Sequence, residues 1–124
     1  MKKVLAVLFF TIITSVTFAG MNDNDKSKTI ECTGIYYANS MIPQGELDLE
    51  KIVHSFAAKK FLNSYLLKEG VKEEKLNEEL LKIVDIRYGK PYEEETTNKC
   101  DEFIFELISG SKDEIKKIAE SGIY

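Results

Sequence analysis

The segment Cys100-Asp101-Glu102-Phe103-Ile104-Phe105-Glu106-Leu107-Ile108 decides the fold. Apolar or sulfur side chains at 100, 103, 104, 107 and 108 recur at i, i+3, i+4, i+7 and i+8, the spacing of one helix face. That face also carries one of the two cysteines in the chain. It therefore serves as a core stripe and as a covalent anchor. The helix is expected to open at Glu93-Glu94-Glu95, where carboxylates suit the positive end of the macrodipole. Gly110 ends it.

The other cysteine, Cys32, lies 68 positions upstream. Its meaning depends on compartment, and compartment is written at the start of the chain. Met1-Lys2-Lys3 is followed by the apolar run Val4 to Phe10, then Ile12, Ile13 and Val16, and then Thr17-Phe18-Ala19-Gly20. That order of charged, apolar and small residues is expected to be a signal peptide, residues 1–19, cut after Ala19. A retained anchor fits less well, because a membrane span wants about 20 apolar residues and no basic flank follows the run. Residues 20–124 are then expected to form a single helical domain in the periplasm. In that oxidising compartment Cys32 and Cys100 are expected to form one disulfide. There is no Cys-x-x-Cys, so the bridge reads as structural and not redox-active.

Cleavage would remove Lys2 and Lys3, leaving 15 of the 17 basic residues against 21 acidic ones, a net charge of −6. Nucleic acid and anionic headgroups both ask for a basic surface, so neither is an expected partner. Once the signal is cut, no membrane association is expected either.

Four further helices are expected around the Cys100 stretch. From Thr29 the positions Cys32, Ile35, Tyr36 and then Ala38 or Asn39 fit an apolar face that ends near Met41-Ile42-Pro43. The polar run Gly20 to Lys28 reads as a frayed terminus, with Ser27 or Asp25 as the cap. Gly34 weakens that helix by about 1 kcal/mol in propensity. The next helix is capped by Asp48, with Leu49, Ile52, Val53, Phe56, Ala57, Phe61 and Tyr65 on one face. It closes at Gly70 in a left-handed cap, with Val71 as the hydrophobic partner. A third helix runs from Lys72 or Glu73 to Arg87, with Leu76, Leu80, Ile83, Val84 and the Arg87 stem inward and Leu81 at the edge. Ser111-Lys112-Asp113-Glu114 reads as a capping box. It opens a last short helix with Ile115, Ile118 and Ala119 inward, ending at Gly122. No stretch alternates with period two for long enough to be a strand. The expected fold is all-α, a compact bundle of about five helices with one disulfide joining helices one and four.

Little in the sequence points to catalysis. His54 is the only histidine, and beside an apolar helix face it reads as a surface or boundary residue; no catalytic residue is assigned. No His-x-x-x-His, cysteine cluster or phosphate loop is present, and Asp23-Asn24-Asp25 does not continue into a calcium loop. No metal site and no cofactor are expected. Recognition remains. The chain has six tyrosines and no tryptophan, and tyrosines are favoured at interfaces. Tyr88 and Tyr92 bracket Gly89-Lys90-Pro91, and three glutamates follow. Tyr88, Lys90, Tyr92, Glu93, Glu94 and Glu95 are therefore the candidate partner-binding residues. The competing reading packs Tyr88 on the core and leaves the glutamates to the helix dipole alone.

The C-terminal half resembles the type VI secretion amidase immunity proteins. The residues that carry the likeness are Leu80-Leu81-Lys82-Ile83-Val84, Arg87-Tyr88-Gly89, the glutamate-rich segment, Asn98-Lys99-Cys100-Asp101, Ser111-Lys112 and Glu114-Ile115. The resemblance covers about half of residues 20–124. The N-terminal half departs from it, with Cys32 followed by Thr33-Gly34 where the family has a longer helical run. What the resemblance implies is a periplasmic, often dimeric, all-helical protein that plugs the cleft of a peptidoglycan amidase. Two other classes remain open on the residues alone: an acid-stress chaperone of the HdeA type, and a non-enzymatic adaptor.

Overall fold

The first helix, α1, spans Asp23–Ser40 and starts earlier than its apolar pattern predicts. Asn22 is the N-cap, its side-chain oxygen accepting from Asp25 N at 2.7 Å, which satisfies one of the orphan amides of the first turn. In this computed structural model, residues 20–122 are described. The expected signal peptide, residues 1–19, lies outside them, as do residues 123 and 124.

Far from fraying, the segment before α1 is tied down. Met21 is only 8% exposed, and its N–H donates to Glu69 Oε1 at 3.0 Å. Polar composition had concealed one apolar side chain that reaches the core.

The remaining helices are α2 (Leu49–Lys68), α3 (Glu73–Arg87), α4 (Glu94–Leu107) and α5 (Ser111–Ser121). No strand occurs among the described residues, and the helices pack into a compact all-α fold. The first helix is the hub, packing on α2, α3 and α4, while α5 covers α2 and the end of α4. Accordingly α1 buries residues on more than one face, including Thr29, Thr33 and Gly34 as well as Cys32, Ile35, Tyr36, Ala38 and Asn39. Thr29 and Thr33 survive there because each hydroxyl donates to the carbonyl four residues back, at 2.7 Å in both cases.

The main core gathers Cys32, Ile35 and Tyr36 of α1, Ala57, Ala58 and Leu62 of α2, Cys100 and Ile104 of α4, and Ile115 of α5. Burial of each large aliphatic side chain contributes roughly 1.5–3 kcal/mol. Leu66, Leu76 and Leu80 form a second cluster, with Ile30, Tyr37 and Val71 against it. Cys32 and Cys100 are bonded, with their Cα atoms 5.5 Å apart, and the bridge joins α1 to α4.

The end of α2 follows its sequence signal and the start of α5 does not. At the end of α2, Gly70 N bonds Leu67 O and Val71 N bonds Leu66 O, both at 3.1 Å. With Gly70 at φ +94° this is a Schellman motif, and Val71 closes on Leu66 in the second cluster. At α5 the capping box is absent. The N-cap is Gly110, at φ +82°, and Ser111 is helical and 1% exposed. Its hydroxyl donates to Ile104 O at 3.2 Å. Ile104 O already accepts from Ile108 N at 2.9 Å, so the buried Ser111 hydroxyl adds a second bond to that carbonyl and ties the start of α5 to the last turn of α4.

The inward face of α2 is also rotated from expectation. Ile52, Ser55, Ala57, Ala58, Leu62 and Leu66 are buried. Phe56, Phe61 and Tyr65 are half-buried on the flanks, and Leu49 is 61% exposed. Small side chains bring the α2 backbone close to the hub, and the aromatics then fit only beside the contact. The Asp48 side chain makes no cap bond; its backbone carbonyl accepts from Lys51 N and Ile52 N.

Candidate functional site

The α1–α2 and α3–α4 connections meet at one end of the bundle. Between them lies a groove of about 430 Å³, walled by Met41, Ile42 and Pro43 on one side and Tyr88, Pro91 and Tyr92 on the other. The turn after α3 is short and specified. Tyr88 N bonds Val84 O at 2.7 Å, Lys90 N bonds Arg87 O at 3.0 Å, and Gly89 sits at φ +82°, a conformation in which glycine carries no steric cost. Pro91 then keeps the chain from resuming a helix until Glu94.

This turn is tied down on both flanks. Arg87 Nη1 pairs with Glu93 Oε1 at 2.7 Å. Lys51 of α2 reaches Glu94 Oε1 at 3.2 Å and lies 5.3 Å from the centre of the Tyr92 ring. Glu94 holds the Lys51 ammonium above its ordinary range. From inside, Asn39 Nδ2 donates to Thr97 Oγ1 at 3.0 Å, and that hydroxyl donates to Glu93 O at 3.0 Å. This buried relay fixes the first turn of α4 to the last turn of α1. One helical turn further along α4, the disulfide does the same covalently.

The predicted residues thus divide. Tyr88 is 71% exposed, so it does not pack on the core. Lys90 is exposed and Tyr92 half-buried, and both line the groove. The three glutamates are all engaged within the chain: Glu93 with Arg87, Glu94 with Lys51, and Glu95 with Lys99 at 3.2 Å. The first two hold the loop's shape, and the Glu95 pair lies within α4.

Directly behind the disulfide lies a polar cluster that the sequence did not single out. The Tyr36 hydroxyl donates to Asp101 Oδ1, and His54 Nε2 lies 2.9 Å from the same oxygen. A carboxylate oxygen only accepts, so His54 is the Nε2–H tautomer or the imidazolium. The two rings meet edge to face, with centroids 5.9 Å apart. Burial, then the Asp101 charge, drives the Tyr36 phenol far above its ordinary pKa. Chemically this is a hydrogen-bonded clamp across α1, α2 and α4. The imidazole faces a carboxylate instead of a hydroxyl or thiol, and both cysteines are taken up in the bridge, so the cluster holds no activated nucleophile. A signal for half of it was present: with Cys32 bonded to Cys100, Tyr36 one turn past Cys32 must lie near Asp101. Nothing in the periodicity of α2 pointed to His54.

Among the described residues, no group of three or more histidine, cysteine or acidic side chains is placed to hold a metal. No helix among them is long and apolar enough to cross a membrane. No family model matches the chain, and no curated protein or solved structure matches it.

Proposed function

We propose that this chain is an exported, non-enzymatic inhibitor that binds a peptidoglycan amidase, as the immunity proteins of type VI secretion do. The observation that carries this reading is Tyr88. A large aromatic side chain stands 71% exposed on a turn whose two ends are fixed by Arg87–Glu93 and by the Asn39–Thr97–Glu93 relay. Aromatic anchors that enter a partner's pocket dominate binding energy, and a loop already held in shape loses little entropy on docking. The groove beside it, with Pro43, Pro91 and Tyr92, extends the contact surface. The resemblance across residues 80–115 supplies the amidase as the partner class, and an acidic chain of net charge −6 after cleavage suits a basic one.

The test is direct binding of residues 20–124 to an exported peptidoglycan hydrolase encoded beside this chain. Submicromolar binding supports the proposal, and absence of binding counts against it. The chaperone reading requires apolar surface to open in acid, so hydrophobic dye binding that is the same at neutral pH and at about pH 3 removes it.

A further inference from the structure

Gly20 and Met21 run over the carboxylate of Glu69, the residue at the C-cap of α2. Met21 N donates to Glu69 Oε1 at 3.0 Å. A Cβ at Gly20 would collide with that same oxygen, and Gly20 is at φ +67°, so only glycine passes there without displacing the carboxylate. Glu69 is held in place by its own N–H, which bonds Tyr65 O at 3.0 Å. It joins none of the lysine and arginine ion pairs formed among the described residues. On the far side of Met21, the Thr29 hydroxyl lies 3.6 Å from the Met21 sulfur, within the core. The approach of residue 20 to Glu69 is therefore set by buried packing, and Glu69 is a carboxylate without a cationic partner among the described residues, at the point where the signal peptide is expected to end.

We propose that Glu69 is the binding site for the α-ammonium created at Gly20 when the signal peptide is removed. Before cleavage the Gly20 nitrogen is a neutral amide. Hydrolysis of the Ala19–Gly20 bond leaves a carboxylate on Ala19 and an amine on Gly20, which takes up a proton at neutral pH, its ordinary pKa being about 7.7–8.0. An ammonium beside an ionised carboxylate forms a charge-assisted bond, shorter and stronger than the amide contact it joins. Export processing thus completes the seam between the start of α1 and the end of α2, and the folded state of the cut chain is more stable than that of the uncut one. The proposal rests on the cut falling after Ala19.

The experiment exports the full chain, measures the mass of the processed protein, and follows its melting before and after selective acetylation of the N-terminal amine. Both steps are repeated in Glu69→Gln. The expected result is a mass that begins at Gly20, a melting temperature lowered by several degrees on acetylation of the wild type, and a shift under one degree in Glu69→Gln. A mass that begins elsewhere overturns the cleavage reading and the proposal together. A mass beginning at Gly20 with equal acetylation shifts in the two proteins, or with none in either, overturns the ion pair alone.

Discussion

Gly34 of α1 lies against Ile83 of α3 so closely that an added Cβ would stand 2.7 Å from both Ile83 Cβ and Cγ2. A helix-interior glycine that propensity alone marks as a weakness is where the hub helix and α3 come together.

Gly34→Ala separates these two views. Propensity alone would gain about 1 kcal/mol, whereas overpacking a tight contact costs about 1–3 kcal/mol. The expected outcome in urea denaturation is net destabilisation. Ile83→Ala, combined with Gly34→Ala, should cost less than the two single changes added together, since the smaller side chain admits the methyl group. A stabilised Gly34→Ala protein would mean that α1 and α3 pack less tightly than described.

The Gly34 contact also shows what the sequence conceals. Period and punctuation were enough for the five helices, the stripe around Cys100 and the Gly70 cap, because each depends on local chemistry, and the Cys32–Cys100 bridge, 68 positions long, was legible because the chain has two cysteines. Misreadings came wherever a side chain answered to a distant neighbour. Ser111 serves the carbonyl of Ile104 and not its own helix. Ser55 and Ala58 lie at the α2 contact because they are small. Met21 belongs to the core despite its polar surroundings. Of the candidate site, the loop was legible as a break between helices, but its clamps, Asn39–Thr97 and Lys51–Glu94, connect residues 58 and 43 positions apart.

Tyr36 gives the stability of the domain an alkaline limit. Its folded-state pKa is raised, first by burial and then by Asp101, so the unfolded chain loses that proton near pH 10 while the folded chain keeps it. The associated stability is intact below about pH 10 and falls above it, by up to about 1.4 kcal/mol per pH unit. Tyr36→Phe should remove this component of the slope. At neutral pH it should also cost roughly 1.5–3 kcal/mol for the lost bond to a carboxylate. Denaturation midpoints of the two proteins at pH 8 and pH 11 check both statements. Parallel declines would show that the phenol is not the titrating group.

Breaking the bridge should be costly while leaving the helices able to form. A 68-residue separation corresponds to roughly 4 kcal/mol on the chain-entropy account. Cys100→Ser is expected to lose an amount of that order, with far-ultraviolet circular dichroism still largely helical at low temperature. An unchanged melting temperature on reduction would show that the bridge contributes nothing.

Ser55 carries a buried hydroxyl with no hydrogen-bond partner among the described residues. Replacing such a group removes a desolvation cost of about 1–3 kcal/mol without breaking any bond. Ser55→Ala should therefore match or exceed the wild type in thermal stability. A clear loss would reveal a partner for that hydroxyl.

The proposed function turns on Tyr88, and its substitution separates binding from folding. Tyr88→Ala should change stability by no more than about 0.5 kcal/mol, as expected of an exposed residue. The decisive measurement titrates the peptidoglycan hydrolysis of the proposed partner, an exported amidase sought beside this chain, with residues 20–124, wild type and Tyr88→Ala. The account predicts stoichiometric loss of hydrolysis with the wild type and at least tenfold weaker inhibition by the variant. Hydrolysis that continues unchanged in excess wild-type protein would contradict it.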